Sequence, residues 1–491
     1  MSNTNDSGHR YDVIIVGSGF SGVNMGIALK HAGIDNFIIL EQADDVGGTW
    51  RDNVYPGCAC DVPSHLYSYS FEPNPDWSTA YSSSDEIEGY IHHCVDKYGL
   101  RPHLKFGEEI VAGTFDASAG QWRLRNADGQ HYSARLVVSA VGGLVNPSEP
   151  NLPGRELYTG KVMHTARWDR NFDVRGKRIA VVGTGASAIQ VVPAIQPDVE
   201  ELVLFQRTAP WIVPKVDPSI SEGAKKLFHR FPLVQKGLRG GILALTELVF
   251  APMVILDSPL QKLLEAAARS NLKKVKDPAL REKLTPTFHI GCKRVLFSSD
   301  YYPAVQQDNV QVITDGIASF TETGLKTDKG ETFDVDAVVL ATGFRVDITN
   351  PPFEIHGLDD VTLADLWSRP GGKAYKGVAI NGIPNFFMML GPNTGPGHTS
   401  VLIYTEAQAD YITQAVKTVL DQGLGYVNVK RPVLDHWHEK LQHRMRYTSW
   451  TSGCQSWYLD EHGENHTLFP GLATEYALGM RHFKLEEYEV G

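Results

Sequence analysis

Two glycine-rich turns limit what this 491-residue chain can fold into more than any other feature. The first closes Tyr11–Gly22 (YDVIIVGSGFSG), an apolar run followed by Gly17, Gly19 and Gly22 in G-x-G-x-x-G spacing. A continuous apolar run suits a parallel strand buried on both faces. In such a turn the first glycine makes the bend, the second admits a pyrophosphate against the backbone, and the third lets the next helix pack closely. The helix N-terminus then offers free N–H groups to the phosphates. A helical pattern over 23–31, a stop at Gly33, a strand over 36–40 and Glu41 at its end complete the unit, with an acid where a ribose is held. The second turn closes Arg178–Ala188 (RIAVVGTGASA), with Gly183, Gly185 and Ala188 at the same positions; alanine is a permitted third residue. Its following strand, 201–205, ends at Gln206, Arg207 and Thr208, without a carboxylate. A cation and a hydroxyl there suit a 2′-phosphate. The expectation is an α/β chain with two Rossmann-like units, the first suited to FAD and the second to NADPH, exchanging electrons.

The segments between these turns are irregular in informative places. Gly47–Asp61 (GGTWRDNVYPGCACD) is a long loop whose paired glycines and Trp50 suit a wrap around a flavin, and Ser64–Phe71 continues it with aromatics. Loops of that length in compact domains are usually functional. Taken alone, Asp61 reads as a satisfied turn carboxylate and Lys293-Arg294 as a solvated basic pair. Gly142–Gly154, with three prolines, reads as a linker. Residues 217–286 break the strand–helix rhythm and read as a helical insertion. Strands at 310–313 and 337–340 follow, the second running into Ala341-Thr342-Gly343-Phe344, which returns the chain to the first unit. Gly391–Ser400 (GPNTGPGHTS) precedes a helical pattern over 401–420, a helix start suited to an electron-rich ligand edge. The division expected is therefore FAD domain 1–145, NADPH domain 146–216, helical insertion 217–286, NADPH domain 287–345 and FAD domain 346–491.

Composition narrows the partners. A net charge of −11 argues against nucleic acid, which favours a basic patch. The five cysteines form no C-x-x-C pair, and Cys58-Ala59-Cys60 is too tight for a normal zinc pair. All five read as reduced thiols in a cytoplasmic protein without a metal. The first ten residues read as a loose polar tail with no signal segment. Ile242–Leu256 is apolar but shorter than the roughly 20 residues of a spanning helix, and Pro252 interrupts it. It reads as a buried or cavity-lining helix, leaving a peripheral membrane contact open but no span. A monomer and a homodimer are equally compatible with the sequence.

Between linker and second turn lies Tyr158–Asp169 (YTGKVMHTARWD), with Gly160, His164 and Trp168 at four-residue steps before Asp169. This stretch resembles the fingerprint of Baeyer–Villiger monooxygenases, F-x-G-x-x-x-H-x-x-x-W-(P/D), with Tyr158 in place of the usual Phe. Gly47–Asp61 resembles that family's second signature, (A/G)-G-x-W-x-x-x-x-(F/Y)-P-(G/M)-x-x-x-D, at every defined position. The resemblance implies an enzyme that uses NADPH, FAD and O2 to insert oxygen beside a ketone carbonyl, through a C4a-peroxyflavin, giving an ester or lactone. It implies that Arg294 is the active-site arginine and Asp61 the acid that tunes it. Gly48, Thr49, Trp50, Tyr55, Asp61 and Tyr67 would border the flavin. Arg207, Thr208 and Lys293 would hold NADPH, and Trp457 would touch the cofactor. His164 is expected to couple the two nucleotide domains rather than abstract a proton. The tail after Trp457 departs from the cyclohexanone-monooxygenase pattern, so the substrate is not carried over. The alternatives are a relative that oxygenates sulfur or nitrogen, and a non-enzymatic flavin-binding protein. A disulfide reductase would need the cysteine pair that is missing.

Overall fold

The computed structural model describes residues 6–345, 353–368, 372–451, 453, 456, 458–460 and 462–491. It is built on two parallel sheets. In the first, Asp6–Val16 is flanked by Phe37–Leu40 and His131–Ser139, and Leu104–Lys105 and Phe386–Met388 extend it. Val13, Ile14 and Ile15 are fully buried because both faces are covered, Val13 and Ile15 sharing a core with Val23 and Ile27 and Ile14 sharing one with Phe115, Trp122 and Phe386, which is why the strand shows no polar alternation. An antiparallel flap, Ile110–Asp116 with Gln121–Asn126, and the strand Glu354–His356 on its outer edge complete this sheet. The helix after the first glycine turn, Phe20–His31, packs on the long helix Val401–Asp421.

The second sheet runs Val310–Ile313, Glu201–Phe205, Arg178–Val182, Ala337–Leu340, Lys161–His164, all parallel. The stretch carrying Gly160 and His164 is therefore an edge strand of this sheet, paired Leu340↔His164. The chain crosses between the sheets twice, and the crossings pair: Ser148 N–H donates to Gly343 O at 2.8 Å and Arg345 N–H to Asn146 O at 2.8 Å. Residues 222–283 are mainly helical, as Glu222–Arg230, Pro232–Leu245, one π-helical turn Thr246–Phe250, Ala251–Val254, Gln261–Leu272 and Pro278–Lys283.

Three expectations are corrected. Residues 6–10 are not a tail but the start of the first strand, paired Asp6↔His131 and Arg10↔Ser133; backbone pairing needs no apolar side chains there. Cys292 is disulfide-bonded, while Cys58, Cys60 and Cys94 are free thiols; an odd number of scattered cysteines carries no spacing signal for a bridge. The apolar segment Ile242–Leu256 is buried only in part: Ala251, Val254 and Ile255 are buried, whereas Leu245, Leu248, Val249 and Leu256 are exposed. Pro232–Val254 is one long helical stretch, and only 17% of its most apolar window is buried. Pro252 does not break it because it follows directly on the π-helical turn Thr246–Phe250, where the hydrogen-bond register is already shifted.

Candidate functional site

The site grows from the carboxyl ends of the two sheets, where ligands of such folds bind. At the first turn a side chain on Gly22 would lie 1.9 Å from Gly17 O, so only glycine lets the helix reach the strand. Glu41 ends the next strand at 4% exposure. Its carboxylate takes Ser18 N–H (2.8 Å), Ser18 Oγ–H (2.7 Å) and Ala43 N–H (3.0 Å), and Arg51 sits 3.2 Å away. That carboxylate is fixed beside the glycine turn, as a ribose-binding acid must be. Among the described residues, the buried groups that show no hydrogen-bond partner include Asn24 Nδ2 on the helix after the turn and both ring nitrogens of His398. Burial pushes His398 down to about 4, so the ring is neutral, and it lies two residues before the Ser400 cap of Val401–Asp421. Orphaned donors and acceptors at a helix start fit the polar edge of a bound flavin.

The loop 47–61 folds back over this turn. Gly47 and Gly48 hold positive φ of 121° and 53°, after which Thr49–Asp52 forms a single helical turn. Trp50 donates its indole N–H to Tyr67 Oη at 3.1 Å, at an edge-to-face angle of 74°. Tyr55 instead ties the loop to the other unit. Its hydroxyl donates to Gln190 Oε1 at 2.7 Å, and Gln190 Nε2 donates to Ala59 O at 2.9 Å. Gln190 lies on Ala188–Ile195, the helix after the second glycine turn. The sequence reading missed it, and no motif marks it.

Asp61 ends this loop against Arg294. Nε and Nη2 donate to the same carboxylate oxygen, Oδ2, at 2.9 and 2.7 Å. The attraction of Asp61 holds the guanidinium above its ordinary range. The arginine side chain keeps 41% exposure, so a ligand can reach the donors that Asp61 leaves unspent among its five N–H. Tyr458 stands beside the pair. Burial raises its phenol to about 12, with Arg294 pulling down and Asp61 pushing up. Tyr458 was not predicted; only its place after Trp457 hinted at it. Trp457 itself lies outside the described residues.

The second unit shows a separate cationic group. Arg207 and Lys293 lie close enough that Arg207 adds to burial in lowering Lys293. Neither forms an ion pair among the described residues. Lys293 sits 5.0 Å over the Phe288 ring, and Thr208 takes the Thr184 hydroxyl on its backbone carbonyl. A side chain on Gly185 would meet nothing within 4 Å, so this turn has room for a phosphate. Like charges held together without a carboxylate fit a 2′-phosphate.

The fingerprint residues take structural places. A side chain at Gly160 would fall 2.2 Å from Tyr158 Oη and 2.7 Å from Asp336 O. The hydroxyl that Tyr158 has and Phe lacks donates to Val335 O at 2.8 Å. His164 is 2% exposed and neutral, lowered by burial. Its Nδ1 accepts from Ala166 N–H at 3.0 Å, leaving the proton on Nε2, which is buried near Gly343 without hydrogen-bond geometry. Phe344 lies against the ring at 6.0 Å between centroids. Asp169 pairs with Lys161 at 2.9 Å. Trp168 is buried and, with Ala166 and Arg167, faces Arg51, Asp52 and Val54 across an open cleft of about 470 Å³.

Fold and site together define a flavin- and NADPH-dependent oxidoreductase. Comparison with known proteins narrows the class. Residues 14–226 match the pyridine nucleotide-disulphide oxidoreductase family, a span covering both glycine turns. A Baeyer–Villiger monooxygenase of Pseudomonas aeruginosa is 44% identical over 97% of this chain and 91% of its own. One from Streptomyces coelicolor is 43% identical over 97% and 92%. Among solved structures, oxidized steroid monooxygenase bound to NADP superposes with a TM-score of 0.88 at 28% identity, covering 98% of this chain and 99% of that one. Cyclohexanone monooxygenase from Rhodococcus sp. Phi1 bound to NADP+ gives 0.88 at 26% identity, with the same coverage. The chain belongs to the Baeyer–Villiger monooxygenase family.

Proposed function

We propose that this chain inserts one oxygen atom of O2 beside the carbonyl of a small-molecule ketone, with Arg294 and Asp61 as its catalytic pair. The observation that carries the reading is the two-point contact of Arg294 on one oxygen of Asp61, at 2.9 and 2.7 Å. When bound, FAD supplies oxygen activation and NADPH the electrons. Arg294 offers a permanent charge to the anionic oxygen that must attack the carbonyl, and fixed charge of this kind is often the largest catalytic contribution. Asp61 holds the guanidinium plane so that its remaining N–H groups face one direction. The roles of Gly17, Gly19, Gly22, Glu41 and the 47–67 loop at FAD, and of Gly183, Gly185, Ala188, Arg207, Thr208 and Lys293 at NADPH, belong to the same proposal. So does the division into an FAD domain, an NADPH domain and a helical insertion.

The deciding experiment is a ketone panel with NADPH and 18O2. Singly labelled esters or lactones are the expected products. Label only in sulfoxides or N-oxides would replace this reading with sulfur or nitrogen oxygenation.

His164 is the coupling residue in this scheme, because it touches the Gly343-Phe344 crossing and sits at the carboxyl edge of the NADPH sheet. For His164→Ala we expect NADPH consumption to separate from product formation, with peroxide release rising several-fold. Unchanged NADPH kinetics together with unchanged coupling would remove the role.

A further inference from the structure

The helical segment Pro232–Val254 is inside out. An amphipathic helix on a soluble protein normally turns its apolar stripe inward. Here three polar residues face in alongside Leu243, Ala251 and Val254. Gln235 is 3% exposed and donates to Asn74 O at 2.6 Å. Arg239 donates to the carbonyls of His65, Leu66 and Ser68 at 2.9–3.1 Å. Glu247 is 6% exposed and accepts from Thr474 N–H and Oγ1–H at 2.8 and 2.6 Å. The opposite side carries Val234, Leu238, Leu245, Leu248 and Val249, exposed by 41–72%. At helical spacing these five fall within an arc of roughly 100°. Leu227, Phe231 and Leu233 before them, and Leu256, Leu260 and Leu263 after them, are 43–80% exposed. Eleven of the eighteen exposed large apolar side chains among the described residues thus lie between 227 and 263. A concentration of this kind marks an interaction surface.

Charge selects the occupant. Lys226, Arg230 and Lys262 adjoin the exposed Leu227, Phe231 and Leu263, are themselves exposed and have no carboxylate partner among the described residues, and Asp257 is the one exposed acid between 226 and 263. A basic rim on a chain of net charge −11 is a local feature. A second copy docked on the same face by two-fold symmetry would bring like cations together. An anionic bilayer receives both the leucines and the cations. The segment does not cross the bilayer, because Gln235, Arg239 and Glu247 bind it to the rest of the protein along its length.

We infer that this face docks the enzyme on anionic phospholipid, the helix lying in the plane of the headgroups. The inference is independent of the ketone reading. It is tested by sedimenting the FAD-loaded protein with vesicles of phosphatidylcholine alone and of phosphatidylcholine with phosphatidylglycerol, at low and high salt. Binding to the anionic vesicles, weakened by salt, is expected. The double variant L245E/L248E should lose at least tenfold in partitioning while flavin content and NADPH oxidation in solution stay unchanged. The triple variant K226E/R230E/K262E should lose the preference for anionic lipid. Wild-type protein that stays in the supernatant with both vesicle types overturns the inference. So does a double variant that binds like wild type, or a wild-type dimer that ignores vesicles and becomes monomeric in that variant.

Discussion

In the Arg294→Ala variant, NADPH should still reduce the flavin, and ester should no longer form. The two steps separate because they use different charges. The cations proposed to hold NADPH, Arg207 and Lys293, influence each other, whereas the partner of Arg294 is Asp61, from the opposite unit. Removing one preorganised donor from such a site costs about 10²–10³ in rate, or about 3–4 kcal/mol. Here a full charge goes with the donors, so the loss should reach the upper end of that range. The electrons then leave as hydrogen peroxide, since nothing holds the oxygen nucleophile as an anion while water is excluded. Stopped-flow reduction within a few-fold of wild type, with NADPH converted to peroxide and no ester, is the expected pattern. Arg294→Lys should recover little, because an ammonium cannot place two N–H groups on Asp61 Oδ2 and still present a planar fork. Wild-type ester yield from the alanine variant would end the assignment.

Both glycine turns were legible because their chemistry is local. Strand, turn, helix and acid follow one another within a few dozen residues, and Gly22 admits no substitute at 1.9 Å from Gly17 O. Asp61 and Arg294 were not legible in that way. Composition reads one as a turn acid and the other as a solvated cation, and only the family resemblance weighted them. Their meeting depends on loop 47–61 crossing to the other unit, which Tyr55 and Gln190 secure at 2.7 Å. No local pattern reports such a contact. The same holds for Tyr458, brought to the pair by the C-terminal chain. The misreading of Ile242–Leu256 has a different cause. Apolar residues were assigned inward by default, while the polar side chains that anchor the helix, Gln235, Arg239 and Glu247, are spaced so that they face the protein and Leu238, Leu245 and Leu248 do not. Residues 6–10 failed the opposite way, since a strand edge recruits polar residues through backbone alone.

Arg207→Ala and Lys293→Ala should each raise KM for NADPH by about 10- to 100-fold and leave KM for NADH within about twofold. A hydrogen bond to a charged group contributes about 1.5–3 kcal/mol, and only the phosphorylated cofactor makes it. Because the two cations influence each other, their effects should not add in the double variant. Saturating NADPH should restore most of the turnover, since neither cation touches the Arg294–Asp61 pair. The pH dependence follows from the state of Lys293. Burial and then Arg207 depress it in the free protein, and a bound phosphate would draw it back up. The ammonium is fully present at low pH and is lost as pH rises through its depressed value. The affinity gap between NADPH and NADH should therefore narrow on the alkaline side, beginning below the ordinary lysine value of about 10.4. In Lys293→Arg the gap should persist to higher pH, because a guanidinium does not titrate there. A gap that stays constant through that range in wild type, or that narrows equally in Lys293→Arg, would remove Lys293 from the phosphate site.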